Sequence, residues 1–94
     1  MPSRKPETRD LGRSLDSLLL EAVEKAIDGD WQAAHLIVQD LEGDARAAWI
    51  HAVVHRMEGD LDNARYWYGR CGRSLREDVS TGDELREIRS EIRT

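Results

Sequence analysis

The chain is poor in the residues that staple or break a polypeptide. Cys71 is its only cysteine, which excludes an internal disulfide framework and any cysteine-clustered zinc site and fits a reducing, cytoplasmic setting. It has two prolines, Pro2 and Pro6, so everything beyond the first few residues is free to be helical. No run approaches the roughly 20 apolar residues of a membrane span. The opening MPSRKPETRDLGR has no hydrophobic segment of the signal-peptide kind, so export is not expected. There is no glycine-rich phosphate loop and no serine in a nucleophile-elbow context. The zincin pattern HExxH is also absent, because Ala52 stands where its glutamate would be.

Positive charge is also in deficit. The net charge is −5, which argues against a mainly electrostatic nucleic-acid binder and against an anionic membrane surface as partner. What is present is 39% hydrophobic and 35% charged residues over 94 positions. That is the composition of one soluble, helix-rich domain, too small for a core plus a deep catalytic cleft.

Residues 1–13 carry both prolines, many charges and few apolar side chains, and are expected to form a flexible tail ahead of a single all-α domain over 14–94. Ser14 is a candidate N-cap for a first helix, about Leu15 to Asp28, with Leu15, Leu18, Leu19, Ala22 and Ala26 on one face. Gly29 supplies a helix stop and Asp30 the next cap. A second helix, about Trp31 to Glu42, aligns Trp31, Ala34, Ile37, Val38 and Leu41. Gly43-Asp44 repeats the stop and cap ahead of a third helix, Ala45 to Glu58, which is apolar on two sides. Ala45, Ala48, Trp49 and Ala52 form one stripe and Ile50, Val53, Val54 and Met57 the other, so this helix is expected to be sandwiched between partners. Gly59-Asp60 then starts a fourth helix, Leu61 to Arg70, with Leu61, Ala64, Trp67, Tyr68 and Cys71 inward. After a stretch with no clear periodicity, Ser80-Thr81 with Asp83 or Glu84 three residues on has capping-box spacing for a last helix, about Gly82 to Arg93. Its stripe is thin: Leu85, Ile88 and Ile92.

Gly29-Asp30 recurs as Gly59-Asp60, 30 residues on, and the surroundings follow in register. Leu19, Ala22, Val23, Ala34 and Val38 fall on Trp49, Ala52, Val53, Ala64 and Tyr68. Two tandem antiparallel helical hairpins are the most economical reading. The run Gly59-Asp60-Leu61-Asp62-Asn63-Ala64 with Tyr68, and its weaker copy Gly29-Asp30-Trp31-Gln32-Ala33-Ala34 with Val38, resembles the turn of tetratricopeptide repeats. The resemblance covers about residues 15–72. It implies hairpins in which small first-helix residues, here Ala22 and Ala52, pack on the second-helix alanine, and a peptide-binding groove. The family's first helix normally carries large apolar residues where this chain has Glu21, Lys25, His51 and His55. The stretch from His51 to Tyr68 also resembles a group of small uncharacterised proteins, a likeness that implies no activity. Two repeats are fewer than a stacked array needs, so either the C-terminal segment or a second copy of the chain is expected to cover the exposed ends.

The two copies differ most at one place. Glu21, Lys25 and Asp28 of the first become His51, His55 and Glu58 of the second, at i, i+4 and i+7 on one side of the third helix. Two imidazoles a turn apart can share a metal ion. The pattern places no further ligand beside them, His35 included, so no metal and no cofactor is expected. The same residues can equally be the polar seam of a sandwiched helix. On the fourth helix, Tyr66 points away from the core while Asn63, Trp67 and Arg70 share a flank, a composition suited to a protein partner. His51, His55, Glu58, Asn63, Tyr66, Trp67 and Arg70 are therefore the candidate partner-binding residues. Imidazoles there would titrate near neutral pH and make association pH-dependent. Cys71 reads as a small buried hydrophobe, not a nucleophile. The expected function is a non-enzymatic protein-interaction or self-assembly module, with a protein or a second copy as partner. The alternative is a small-ligand or metal-binding protein using His51, His55 and Glu58.

Overall fold

The computed structural model describes residues 14–41 and 43–94; the expected tail over 1–13 lies outside them. They form five helices and, among the described residues, no strand: α1 Leu15–Ile27, α2 Trp31–Val38, α3 Ala45–Glu58, α4 Leu61–Arg70 and α5 Thr81–Arg93. The protein is all-α. No helix among these residues is long and apolar enough to cross a membrane.

The helix ends follow from local chemistry. Ser14, Asp30, Asp44, Asp60 and Ser80 each accept a backbone N–H of the first turn that follows, satisfying a donor the helix leaves unpaired. Gly29 and Gly59 have φ of +91° and +93°. This left-handed turn lets Asp30 N–H reach Lys25 O and Asp60 N–H reach His55 O, both at 2.9 Å. The two are the same closing motif, 30 residues apart.

One boundary differs from expectation. α2 ends at Val38 and does not continue toward residue 42. Leu41 N–H turns back onto Val38 O at 2.9 Å, and Leu41 packs against the core from the loop. Gln39 and Asp40 are exposed, and a carboxylate such as Asp40 is unfavourable at the negative end of the helix dipole.

α1 pairs with α2 and α3 with α4 as antiparallel hairpins, and α3 also packs on α2 and α1. α3 is the sandwiched helix: Ala47 to Val54 are buried without interruption. α5 lies across α1 and α3, burying Leu85, Ile88 and Ile92. Each such side chain contributes roughly 1.5–3 kcal/mol of burial, so the thin stripe suffices to seat the helix. α4 packs on α3 alone, which leaves its outer side uncovered by any helix of the described residues. The repeat shows in burial, since Ala22, Ala52, Ala34 and Ala64 are all fully inaccessible where the hairpins close.

Candidate functional site

α3 presents two polar groupings, one toward α2 and α4 and one toward α5. Toward α2 and α4, the α-helical spacing stacks His51 and His55, their rings 5.1 Å apart and within 16° of parallel. On its other face His51 meets Trp67 of α4, with ring centroids 3.9 Å apart at 11°. Arg70 sits one turn beyond Trp67, its guanidinium carbon 5.3 Å from the Trp67 ring and 5.8 Å from that of Tyr66. Arg70 Nη1 donates to Tyr66 Oη at 3.0 Å, and Tyr66 stands edge-on to Trp67. The result is a continuous ladder, His55, His51, Trp67, Arg70 and Tyr66, running from the interior to an exposed tyrosine.

The ladder joins five of the seven expected site residues, Glu58 attaches to it through His55, and Asn63 stands on the cap of its own helix. His51 is buried and His55 half-buried, Trp67 is half-buried, and Glu58, Asn63, Tyr66 and Arg70 are exposed. Glu58 Oε1 accepts from His55 Nδ1 at 2.9 Å, which fixes the proton on that nitrogen. Asn63 is engaged at its own helix end: its Nδ2 donates to the capping carboxylate of Asp60 at 2.7 Å. That bond holds Asp60 below the usual carboxylate range and occupies Asn63 with capping.

Two expectations are corrected. His51 does not titrate near neutral pH. Burial, with His35 and then His55 nearby, pushes its pKa down to about 4, so it is a neutral imidazole under ordinary conditions. And His35, which the sequence did not bring to this place, stands on α2 with its ring 4.7 Å from that of His51 and 5.5 Å from that of His55. Ligand atoms of His35, His51 and His55 all lie within 4.8 Å of one another. Three imidazoles therefore converge where two were expected.

The grouping toward α5 centres on Glu84, which is 1% exposed. Its carboxylate accepts from Trp49 Nε1 at 2.8 Å, from Tyr68 Oη at 2.7 Å and from Arg56 Nη1 at 2.6 Å. Arg56 Nη2 also donates to Val79 O at 2.8 Å, fixing the loop that precedes α5. Burial and the adjacent carboxylate raise the Tyr68 phenol well above its ordinary range. Among the described residues no fully buried side-chain nitrogen or oxygen lacks a partner, and this node ties α3, α4 and α5 together.

Protein-family models, curated proteins and solved structures yield no match to this chain.

Sequence reasoning missed His35 and Glu84 for different reasons. His35 follows the inward-facing Ala34 by one residue, a flank position whose neighbour depends on how α3 leans on α2. Glu84 was readable: it stands at i−4 from Ile88 and i−8 from Ile92, directly in line with the buried stripe. A carboxylate in such a line implies buried donors opposite it, and Trp49, Arg56 and Tyr68 supply them.

Proposed function

We propose that this chain is a non-enzymatic, partner-binding module of tetratricopeptide-like helical hairpins that works in the cytoplasm. Its recognition surface is the outer side of α4, and its partner is a protein, a second copy of the chain included. The observation that carries the reading is the placement of Arg70. Its guanidinium is held beside two aromatic rings and bonded to Tyr66 Oη, yet it pairs with no carboxylate among the described residues. Tyr66 is 55% exposed. Tyrosine, tryptophan and arginine dominate the energetics of protein interfaces, and a cluster already ordered before contact loses less entropy on binding. An acidic side chain of the partner is the complement that Arg70 lacks.

The narrow cleft between α2, α3 and α4, lined in part by Val38, Ala48, His51 and Trp67, holds about 130 Å³. Small-molecule sites run to roughly 300–1,000 Å³, so this cleft has no room for a substrate of ordinary size. The net charge of −5 favours protein over nucleic acid.

The test is affinity capture with the wild-type chain beside the Tyr66→Ala, Arg70→Ala double variant, with sedimentation of both for self-association. The expected result is a partner, or a dimer, that the wild type holds and the folded double variant loses. An unchanged partner list and unchanged sedimentation would show that α4 is not the working face.

A further inference from the structure

We propose that His35, His51 and His55 form a binding site for a divalent transition metal ion of the zinc class, built between α2 and α3. Three features of the cluster point to a ligand beyond helix packing.

The first is unused hydrogen-bonding capacity. A buried or half-buried imidazole in a purely structural role pairs its ring nitrogens with protein groups or with water. His55 does so through Nδ1 to Glu58. His35 and His51 make no side-chain hydrogen bond to any described residue, and their rings lie against other rings. His51 lines the narrow cleft between α2, α3 and α4, so solvent has a route to it.

The second is the donor set. Three imidazole nitrogens with no thiolate among them suit zinc, nickel or copper(II), and a His₃ set leaves a position for water or an incoming group. The 4.8 Å spread of the ligand atoms compares with about 3.3 Å between nitrogens around a tetrahedral zinc at about 2.05 Å from each. The edges therefore close by at most about 1.5 Å. Such a movement, with His55 rotating out of its stack on His51, is within reach of side-chain torsions at His35 and His55, while Trp67 stays against His51.

The third is the surroundings. Metal-bound histidines characteristically donate their second N–H to a carboxylate, which sets the tautomer and raises ligand basicity. The Glu58–His55 bond already has this form and leaves Nε2 of His55 as its free nitrogen. Asp60 lies beside the same pair, with ligand atoms of His55, Glu58 and Asp60 within 4.8 Å of one another. Two carboxylates thus stand near His55, and Glu58 is the one bonded to it.

Titration calorimetry of metal-stripped, tag-free full chain with Zn²⁺, and absorption with Co²⁺ as a coloured substitute, tests the site. The expected result is one ion per chain, a cobalt spectrum of low-coordinate type, and affinity at least about tenfold weaker in His35→Ala and in His55→Ala. Glu58→Gln should weaken it by about tenfold through loss of the carboxylate behind His55. Tyr66→Ala with Arg70→Ala should leave it unchanged, which separates this site from the recognition surface on α4. Circular dichroism confirms folding, and His35→Gln serves where His35→Ala does not fold. No saturable binding, binding of equal strength in the folded His35 variant, or half an ion per chain with dimer formation would each overturn the proposal.

Discussion

Tyr68 Oη lies 2.7 and 2.9 Å from the two carboxylate oxygens of Glu84. It joins α4 to α5, two helices that otherwise do not pack together. Because Trp49 and Arg56 of α3 reach the same carboxylate, one buried side chain ties three helices. Its charge is compensated by the Arg56 guanidinium and by two further donors, the condition under which a buried ion is tolerated.

Removing that carboxylate leaves the Arg56 charge and the Trp49 and Tyr68 donors stranded. Glu84→Ala is expected to destabilise the fold by about 3–5 kcal/mol, seen as a lower urea midpoint and a shift in Trp49 fluorescence. Glu84→Gln keeps the volume and one acceptor and should cost less. A Glu84→Ala variant as stable as wild type would mean that α5 is held by Leu85, Ile88 and Ile92 without the carboxylate.

Much of this architecture is legible in the sequence, for a physical reason. Helix ends are decided within a few residues, and the pairs Gly29-Asp30 and Gly59-Asp60 carry both the left-handed turn and the cap. The boundaries of α3 and α4 accordingly fall where spacing places them. What was not legible depends on the lean of one helix against another. Periodicity sorts Ala34 from His35 by angle, but only the packed pair shows that the flank of α2 opens onto His51. The early end of α2 was also hidden, because Leu41 keeps its inward place from a loop, as it would have from a helix.

The glycines give a paired test of backbone conformation. Gly59 has φ +93° and open space where a Cβ would stand, while Gly69 lies within α4, with ordinary helical φ and the same open space. Gly59→Ala is expected to destabilise by about 1 kcal/mol, because an L-residue resists the left-handed turn. Gly69→Ala should stabilise by up to about 1 kcal/mol through helix propensity. Thermal melts of the two variants shifting in the same direction would contradict the assigned conformations.

Cys71 should be a poor nucleophile. Burial raises its thiol pKa, and Sγ donates to Tyr68 O at 3.4 Å, so little thiolate is present near neutral pH. Reaction with a disulfide reagent at pH 8 is expected to be much slower in the folded chain than in urea. Equal rates would show that the end of α4 opens freely.

The final expectation concerns acid. His51 has a folded pKa of about 4, against about 6.5 in an unfolded chain. As pH falls below about 6.5 the unfolded state takes up a proton that the folded state refuses. Stability should therefore be insensitive to His51 above that pH, decline through the window down to about 4, and level off below it. Allowing for relaxation of a partly accessible ring, the loss is on the order of 2 kcal/mol. The ring is faced by His35 from α2 and by His55 on its own helix, and Glu58 and Asp60 bear on it only through His55. Chelator-treated wild type and His51→Gln, compared by urea unfolding at about pH 7 and about pH 5, isolate the effect. Wild type should lose more stability than the variant between the two conditions, and parallel losses would assign the acid sensitivity to other groups.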